Sequence, residues 1–121
     1  MQISHVFAGI AGALAWLLPA NAFAADAAKG KTLYEACAAC HTEKPDALGP
    51  SLKGVIGRKA AALDTYRYST AMKRADITWD AASLKAYITD PQAKVPGNRM
   101  PFGGLPPAEI DDVIAYLGTL K

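Results

Sequence analysis

Residues 37 to 41 read Cys-Ala-Ala-Cys-His and hold both cysteines of the chain and one of its two histidines. No other run constrains the fold as much. On a helix, positions i and i+3 lie about one turn apart, so both thiols can address one ligand from the same side, with the imidazole beside them. Four chemistries use such residues. Structural zinc takes four protein ligands, and the chain has no second Cys/His cluster. A thioredoxin-like dithiol belongs to a βαβ surrounding, for which the chain offers no sustained strand alternation. A Cys37–Cys40 disulfide is permitted in an oxidising compartment and stays open. The remaining reading fits the spacing best: C-x-x-C-H attaches haem. The two thiols add to its vinyl groups as thioethers, and the histidine reaches the iron.

That reading requires export, and the start of the chain supplies a matching pattern. Residues 1–24 carry no Lys, Arg, Asp or Glu, and their apolar run ends in Ala22-Phe23-Ala24. Small residues at those spacings mark signal-peptide cleavage, which places the cut after Ala24 and a cofactor-binding domain over residues 25–121. The n-region "MQISH" lacks Lys and Arg. The rival is an uncleaved anchor, but Gly9, Gly12, Pro19 and Asn21 interrupt the run, which is short for a span of roughly 20 residues. Cleavage removes His5, leaving His41 as the one histidine of the mature chain. The side-chain charge stays at +2, from 13 basic and 11 acidic residues. These charges are interspersed, so neither a nucleic-acid arm nor a polybasic membrane patch is present.

The mature chain reads as all-α. Asp26 suits the N-cap of a helix over 27–40, with Leu33, Tyr34 and Cys37 on one face. Gly30 falls mid-pattern, at a cost of about 1 kcal/mol relative to Ala; a second helix approaching closely would account for it. "TEKPDALGPSLKGVIGRKAA" reads as loop, and "YRYSTAMKRADI" holds one short helix. Asp80 caps "AASLKAYITD", and Pro91 ends it. "PQAKVPGNRMPFGGLPP" reads as a second non-helical stretch. The last helix starts with Pro107 in its first turn, with Ile110, Val113, Ile114, Leu117 and Leu120 as its apolar stripe. Loops this long are uncommon in a compact domain unless something organises them, which is indirect support for a large cofactor.

A haem iron held by His41 has a second axial position. With no other mature histidine, the candidates are Met100, Met72, a lysine, or an open site. Met100 lies in "VPGNRMPF", where Pro96, Gly97 and Pro101 constrain a non-helical loop and Pro101 biases Met100 towards extended backbone. Met72 lies in the short helix, where methionine is ordinarily a gap-filler. Met100 is therefore the preferred ligand. His/Met ligation raises the reduction potential and fills both axial sites, which suits outer-sphere electron transfer.

At this point the sequence resembles a known family. "GKTLYEACAACH", "LGPSLKGVIGRKA", "YRYSTAMKRADITW", "LKAYITDP", "VPGNRMPF" and "IAYL" occur in the order and spacing of the class I cytochromes c, bacterial periplasmic and mitochondrial-like branch. The resemblance spans nearly all of residues 26–121. It implies three main helices plus short helices and loops wrapped around one covalent haem c, with iron cycling between ferric and ferrous. Residue by residue, it implies that Cys37 and Cys40 carry the thioethers and that His41 and Met100 bind the iron. By the same matching, the Pro50 carbonyl would hold the His41 ring N–H. Arg58, Tyr68 and Trp79 would bind or shield the haem propionates. Tyr87 would lie near the methionine sulfur, Asn98 in the methionine loop and Phe102 at the haem edge. Gly30 and Tyr34 would meet the last helix near Tyr116. Two departures stand out. Met72 occupies a commonly polar position, and Gln92 and Ala93 occupy two commonly basic ones. Lys53, Lys59, Lys94 and Arg99 remain to supply positive charge.

The resemblance implies a soluble, periplasmic, monomeric electron carrier that is not an enzyme. Its partners would be redox proteins of a respiratory or photosynthetic chain: a membrane oxidoreductase, terminal oxidase, reaction centre or dehydrogenase. No nucleic acid is implied, and no permanent membrane anchor once the signal is removed. Two rivals share the chemistry. One is an electron-transfer subunit bound permanently to a periplasmic dehydrogenase, which would need a larger and more apolar interface. The other is a haem protein with a labile sixth ligand and peroxidatic or ligand-binding activity.

Overall fold

The computed structural model describes residues 24–121, together with residues 9, 12 and 13. The expected signal segment therefore lies almost wholly outside the described residues. Six helices are present among them: α1 (Ala27–Leu33), α2 (Glu35–Ala38), α3 (Thr70–Arg74), α4 (Ala81–Thr89), α5 (Pro91–Lys94) and α6 (Pro107–Leu117). The one β element among the described residues is an isolated antiparallel bridge between Lys59 and Thr78. The all-α expectation holds, and among the described residues no helix is long and apolar enough to cross a membrane.

The caps form where the short polar residues stand. Asp26 accepts from the N–H groups of Ala28 (2.9 Å) and Lys29 (3.2 Å), which would otherwise lack partners at the start of α1. Asp80 accepts from Ser83 N–H at 2.8 Å, while the Ser83 hydroxyl answers Asp80 N–H at 2.9 Å, closing a capping box on α4. The exposed Asp80 carboxyl is held below the ordinary aspartate range, chiefly by its bond from the Ser83 backbone.

Two boundaries differ from the sequence expectation. The first helix tightens at Tyr34, where ψ is −19° and Cys37 N–H bonds the Tyr34 carbonyl three residues back at 2.8 Å, so α1 and α2 are distinct. The segment after Pro91 does not begin as loop. Pro91 ends α4 and also opens α5, because Asp90 caps the new turn by accepting from Ala93 N–H at 3.1 Å. A proline is as well suited to the first position of a helix as it is hostile to the interior.

The terminal helices α1 and α6 pack against each other. Asp26 N–H donates to Asp112 Oδ1 at 2.7 Å, and the Tyr34 and Tyr116 rings lie 5.1 Å apart. Gly30 is buried at the crossing. A Cβ there would collide with the Asp112 carbonyl oxygen and lie 3.0 Å from Tyr116 Cβ. The close approach that the sequence suggested is the reason for this glycine. Below it, Ile110 and Val113 are fully buried and Leu117 nearly so, each worth about 1.5–3 kcal/mol on transfer from water. They join Val55, Trp79, Leu84, Tyr87 and Ile88 in the core.

Gly30→Ala should lower holoprotein stability by about 1–3 kcal/mol, read as a reduced guanidinium midpoint; an unchanged midpoint would contradict the close crossing. Asp80 gives a pH-dependent test. Its folded pKa is depressed, so its stabilisation is present above the unfolded value of about 3.9 and is lost as pH falls through the folded one. Asp80→Ala should therefore lower the Tm at pH 7, with the gap to wild type narrowing below about pH 4. A gap independent of pH would refute the ionised cap.

Candidate functional site

A cleft of about 350 Å³ runs between the two long connections and the helices. Cys37, Cys40 and His41 enter it from the end of α2, Met100 and Phe102 from the segment after α5, and Tyr87, Leu84 and Ile88 from α4. Its wall is predominantly apolar, completed by Leu52, Val55, Val113 and Leu117. The core residues of α6 thus serve a second purpose as lining.

His41 is oriented by the segment that follows it. Its Nδ1 lies 2.7 Å from the Pro50 carbonyl oxygen. A carbonyl only accepts, so Nδ1 carries the proton and Nε2 keeps its lone pair. Burial lowers the His41 pKa, partly opposed by the bond to Pro50 and assisted by the nearby Arg58 charge. Both the tautomer and the neutral charge suit a metal ligand. Gly49, just before Pro50, is buried against the ring: a Cβ there would lie 2.6 Å from His41 Cε1. The Gly-Pro pair thus supplies the orienting carbonyl and the room for the ring.

Cys37 and Cys40 are free thiols in this structure. Burial pushes the Cys37 thiol up, with a smaller contribution from Cys40. Among the described residues, no group of three or more His, Cys, Asp or Glu is placed to hold a metal ion, so nothing there supports the zinc reading. Two thiols, one oriented neutral imidazole and a long apolar wall match the donor set of a covalently attached, planar, largely apolar macrocycle.

The polar residues expected around that group also reach the cleft. Arg58 lines it, with Nη2 donating to the Ser51 carbonyl at 2.7 Å and Nη1 to the Lys53 carbonyl at 3.1 Å. These bonds fix its guanidinium while leaving further N–H donors. Tyr68 lines the cleft and accepts from Leu63 N–H at 3.4 Å. Trp79 is buried with its ring 5.1 Å from that of Tyr87. The Tyr87 hydroxyl is pushed up to about 12, first by burial and then by Tyr66, so it is a neutral hydrogen-bonding group at ordinary pH. Asn98 is buried with both ends of its amide engaged. Nδ2 donates to the Pro91 and Val95 carbonyls, both at 2.8 Å, and Oδ1 accepts from Met100 N–H at 2.7 Å.

Both candidate methionines line the cleft: Met100 from its loop and Met72 from α3. Of the residual basic residues, Lys59 and Arg99 lie at the cleft, and Arg99 Nη2 donates to the Arg67 carbonyl at 2.9 Å. Sequence reasoning missed Tyr66. It lines the cleft and donates its hydroxyl to the Leu48 carbonyl at 2.7 Å, joining the segment after His41 to the segment before α3. A tyrosine in a loop carries no periodic signal; only the partner carbonyl, 18 residues away, reveals its role.

Comparison with known proteins bears on this geometry directly. The sequence profile described as cytochrome c matches residues 27–121. The chain is 47% identical over 102 residues to cytochrome c2 of Rhodoblastus acidophilus, covering 81% of this chain and 95% of that protein. It is 42% identical over 115 residues to cytochrome c2 of Rhodomicrobium vannielii, covering 91% and 90% respectively. Among solved structures, cytochrome cH from Methylobacterium extorquens superposes with a TM-score of 0.74 at 47% identity, over 78% of this chain and 98% of that one. A C-x-x-C-H run with an oriented histidine, an apolar cleft and a profile match over nearly the whole described chain lead to one conclusion: the chain belongs to the cytochrome c family, whose cofactor is covalent haem c.

Proposed function

We propose that the chain is an exported, monomeric single-electron carrier whose haem is attached through Cys37 and Cys40 and ligated by His41 and Met100. When bound, the haem supplies an iron that alternates between ferric and ferrous. The carrying observation is the cleft itself: it unites both thiols, a histidine fixed by Pro50 with Nε2 left to coordinate, and a methionine held by a backbone bond to Asn98. The soft Met100 thioether favours ferrous iron. Arg58, Tyr68 and Trp79 provide donors for the propionates, which would otherwise be charges in a poorly solvated site. The apolar wall limits solvent reorganisation during transfer. Held by both His41 and Met100, the iron would offer no site for substrate, as suits a carrier rather than an enzyme.

Cleavage after Ala24 and a periplasmic location belong to the same proposal, because the mature domain then begins just before the α1 cap. The partners are redox proteins of a respiratory or photosynthetic chain. Gln92 and Ala93 thin the positive charge beside the cleft, while Lys59 and Arg99 retain some of it. Steering towards an acidic partner should therefore weaken with salt.

Met100→Ala should abolish the ferric sulfur-to-iron absorption band and lower the potential, whereas Met72→Ala should keep the band. The reverse pattern would transfer the ligand role to Met72. In wild type, ferrous protein at neutral pH should resist carbon monoxide; ready binding would point instead to a labile sixth site. Replacing Cys37 and Cys40 together with Ser should remove haem staining from a denaturing gel, and staining that survives would refute the thioether assignment.

A further inference from the structure

Gln92 is an exposed side chain on the first turn of α5, outside the cleft lining. It nevertheless grips the methionine loop at two adjacent residues. Its Nε2 donates to the Asn98 carbonyl at 2.9 Å, and its Oε1 accepts from Gly97 N–H at 3.2 Å. The orientation of the amide is dictated by its partners, since a carbonyl only accepts and an N–H only donates. Neither a lysine nor an arginine could satisfy both, because neither side chain has an acceptor.

We infer that Gln92 is a positioning residue for the axial ligand: its amide clamps the loop that carries Met100 onto α5 and suppresses the excursion that frees the sixth coordination site. The inference rests on His41/Met100 ligation as proposed above. Met100 would reach the iron from a segment outside any helix, whose own backbone bonds include Asn98 N–H to the Val95 carbonyl at 3.1 Å, so side chains must do much of the holding. Asn98 holds it from inside, through Met100 N–H, the Pro91 carbonyl and the Val95 carbonyl. Gln92 holds it from outside, through the two residues preceding Arg99. The base of the clamp is firm, because Pro91 is fully buried and Asp90 caps the turn.

External ligands reach ferric iron only when the sulfur has left it, so their apparent affinity scales with the open fraction of the loop. Losing one half-buried and one exposed hydrogen bond should raise that fraction about three- to tenfold. The test is a spectroscopic titration of ferric holoprotein with imidazole at fixed pH, following loss of the sulfur-to-iron band, with covalent haem content checked in every variant. Gln92→Ala and Gln92→Leu should both bind imidazole about three- to tenfold more tightly than wild type. Lys94→Ala, which removes a charge from the same turn but no loop contact, should match wild type. Unchanged affinity in Gln92→Ala overturns the clamp. So does an equal gain in Lys94→Ala, which would indicate general loosening of α5, and so does wild-type behaviour of Gln92→Leu, which would assign the effect to the aliphatic stem. Absence of the sulfur band from wild type would instead defeat the ligation on which the inference rests, and that outcome is read before any variant is made.

Discussion

The crossing of α1 and α6 is the contact on which the rest of the structure depends. Gly30 lets one helix backbone approach the other at Asp112, and Asp26 N–H is tied to the Asp112 carboxylate. The crossing brings the two ends of the domain together. It delivers Cys37, Cys40 and His41 from the first helical segment to a cleft walled by Val113 and Leu117 from the last. A domain this small buries only part of its apolar surface. Val113 and Leu117 belong both to the core and to the cleft wall, so stability and cofactor retention share the same residues.

Between those helices, two long irregular segments supply most of the site's polar chemistry. Such segments cannot satisfy their backbone groups by helical periodicity, so each is tied down by side chains reaching across the chain. Arg58 bonds the Ser51 and Lys53 carbonyls, Tyr66 the Leu48 carbonyl, and Arg99 the Arg67 carbonyl. Asn98 and Gln92 treat the methionine segment similarly from its two sides. The outcome is a rigid frame of donors around an apolar cleft. A carrier needs such a frame, because an iron site that barely rearranges between oxidation states exchanges electrons with little structural penalty.

Much of this was legible before any coordinates. Asp26 and Asp80 announce helix starts because a short carboxylate before an Ala- and Leu-rich run has one good use there. Gly30 announces a close contact because glycine is costly in a helix and needs a compensating reason. The less legible features depend on context. Pro91 could stop a helix or start one, and the Asp90 carboxylate decided that it does both. The break at Tyr34 leaves no trace in composition, since every residue around it is an acceptable helix former. The clamp by Gln92 is invisible in one dimension, because it is defined by two backbone groups of a loop whose path the sequence does not specify.

The sequence by itself determined the chemistry: two thiols one turn apart with a histidine beside them admit few ligands. Only the tertiary structure decided how those donors are held. The direction of the His41 lone pair depends on the Pro50 carbonyl nine residues away, and the footing of Met100 depends on the amides of Asn98 and Gln92. Hydrogen-bond geometry between segments is set by the path of the backbone through space, which local propensity and periodicity do not encode.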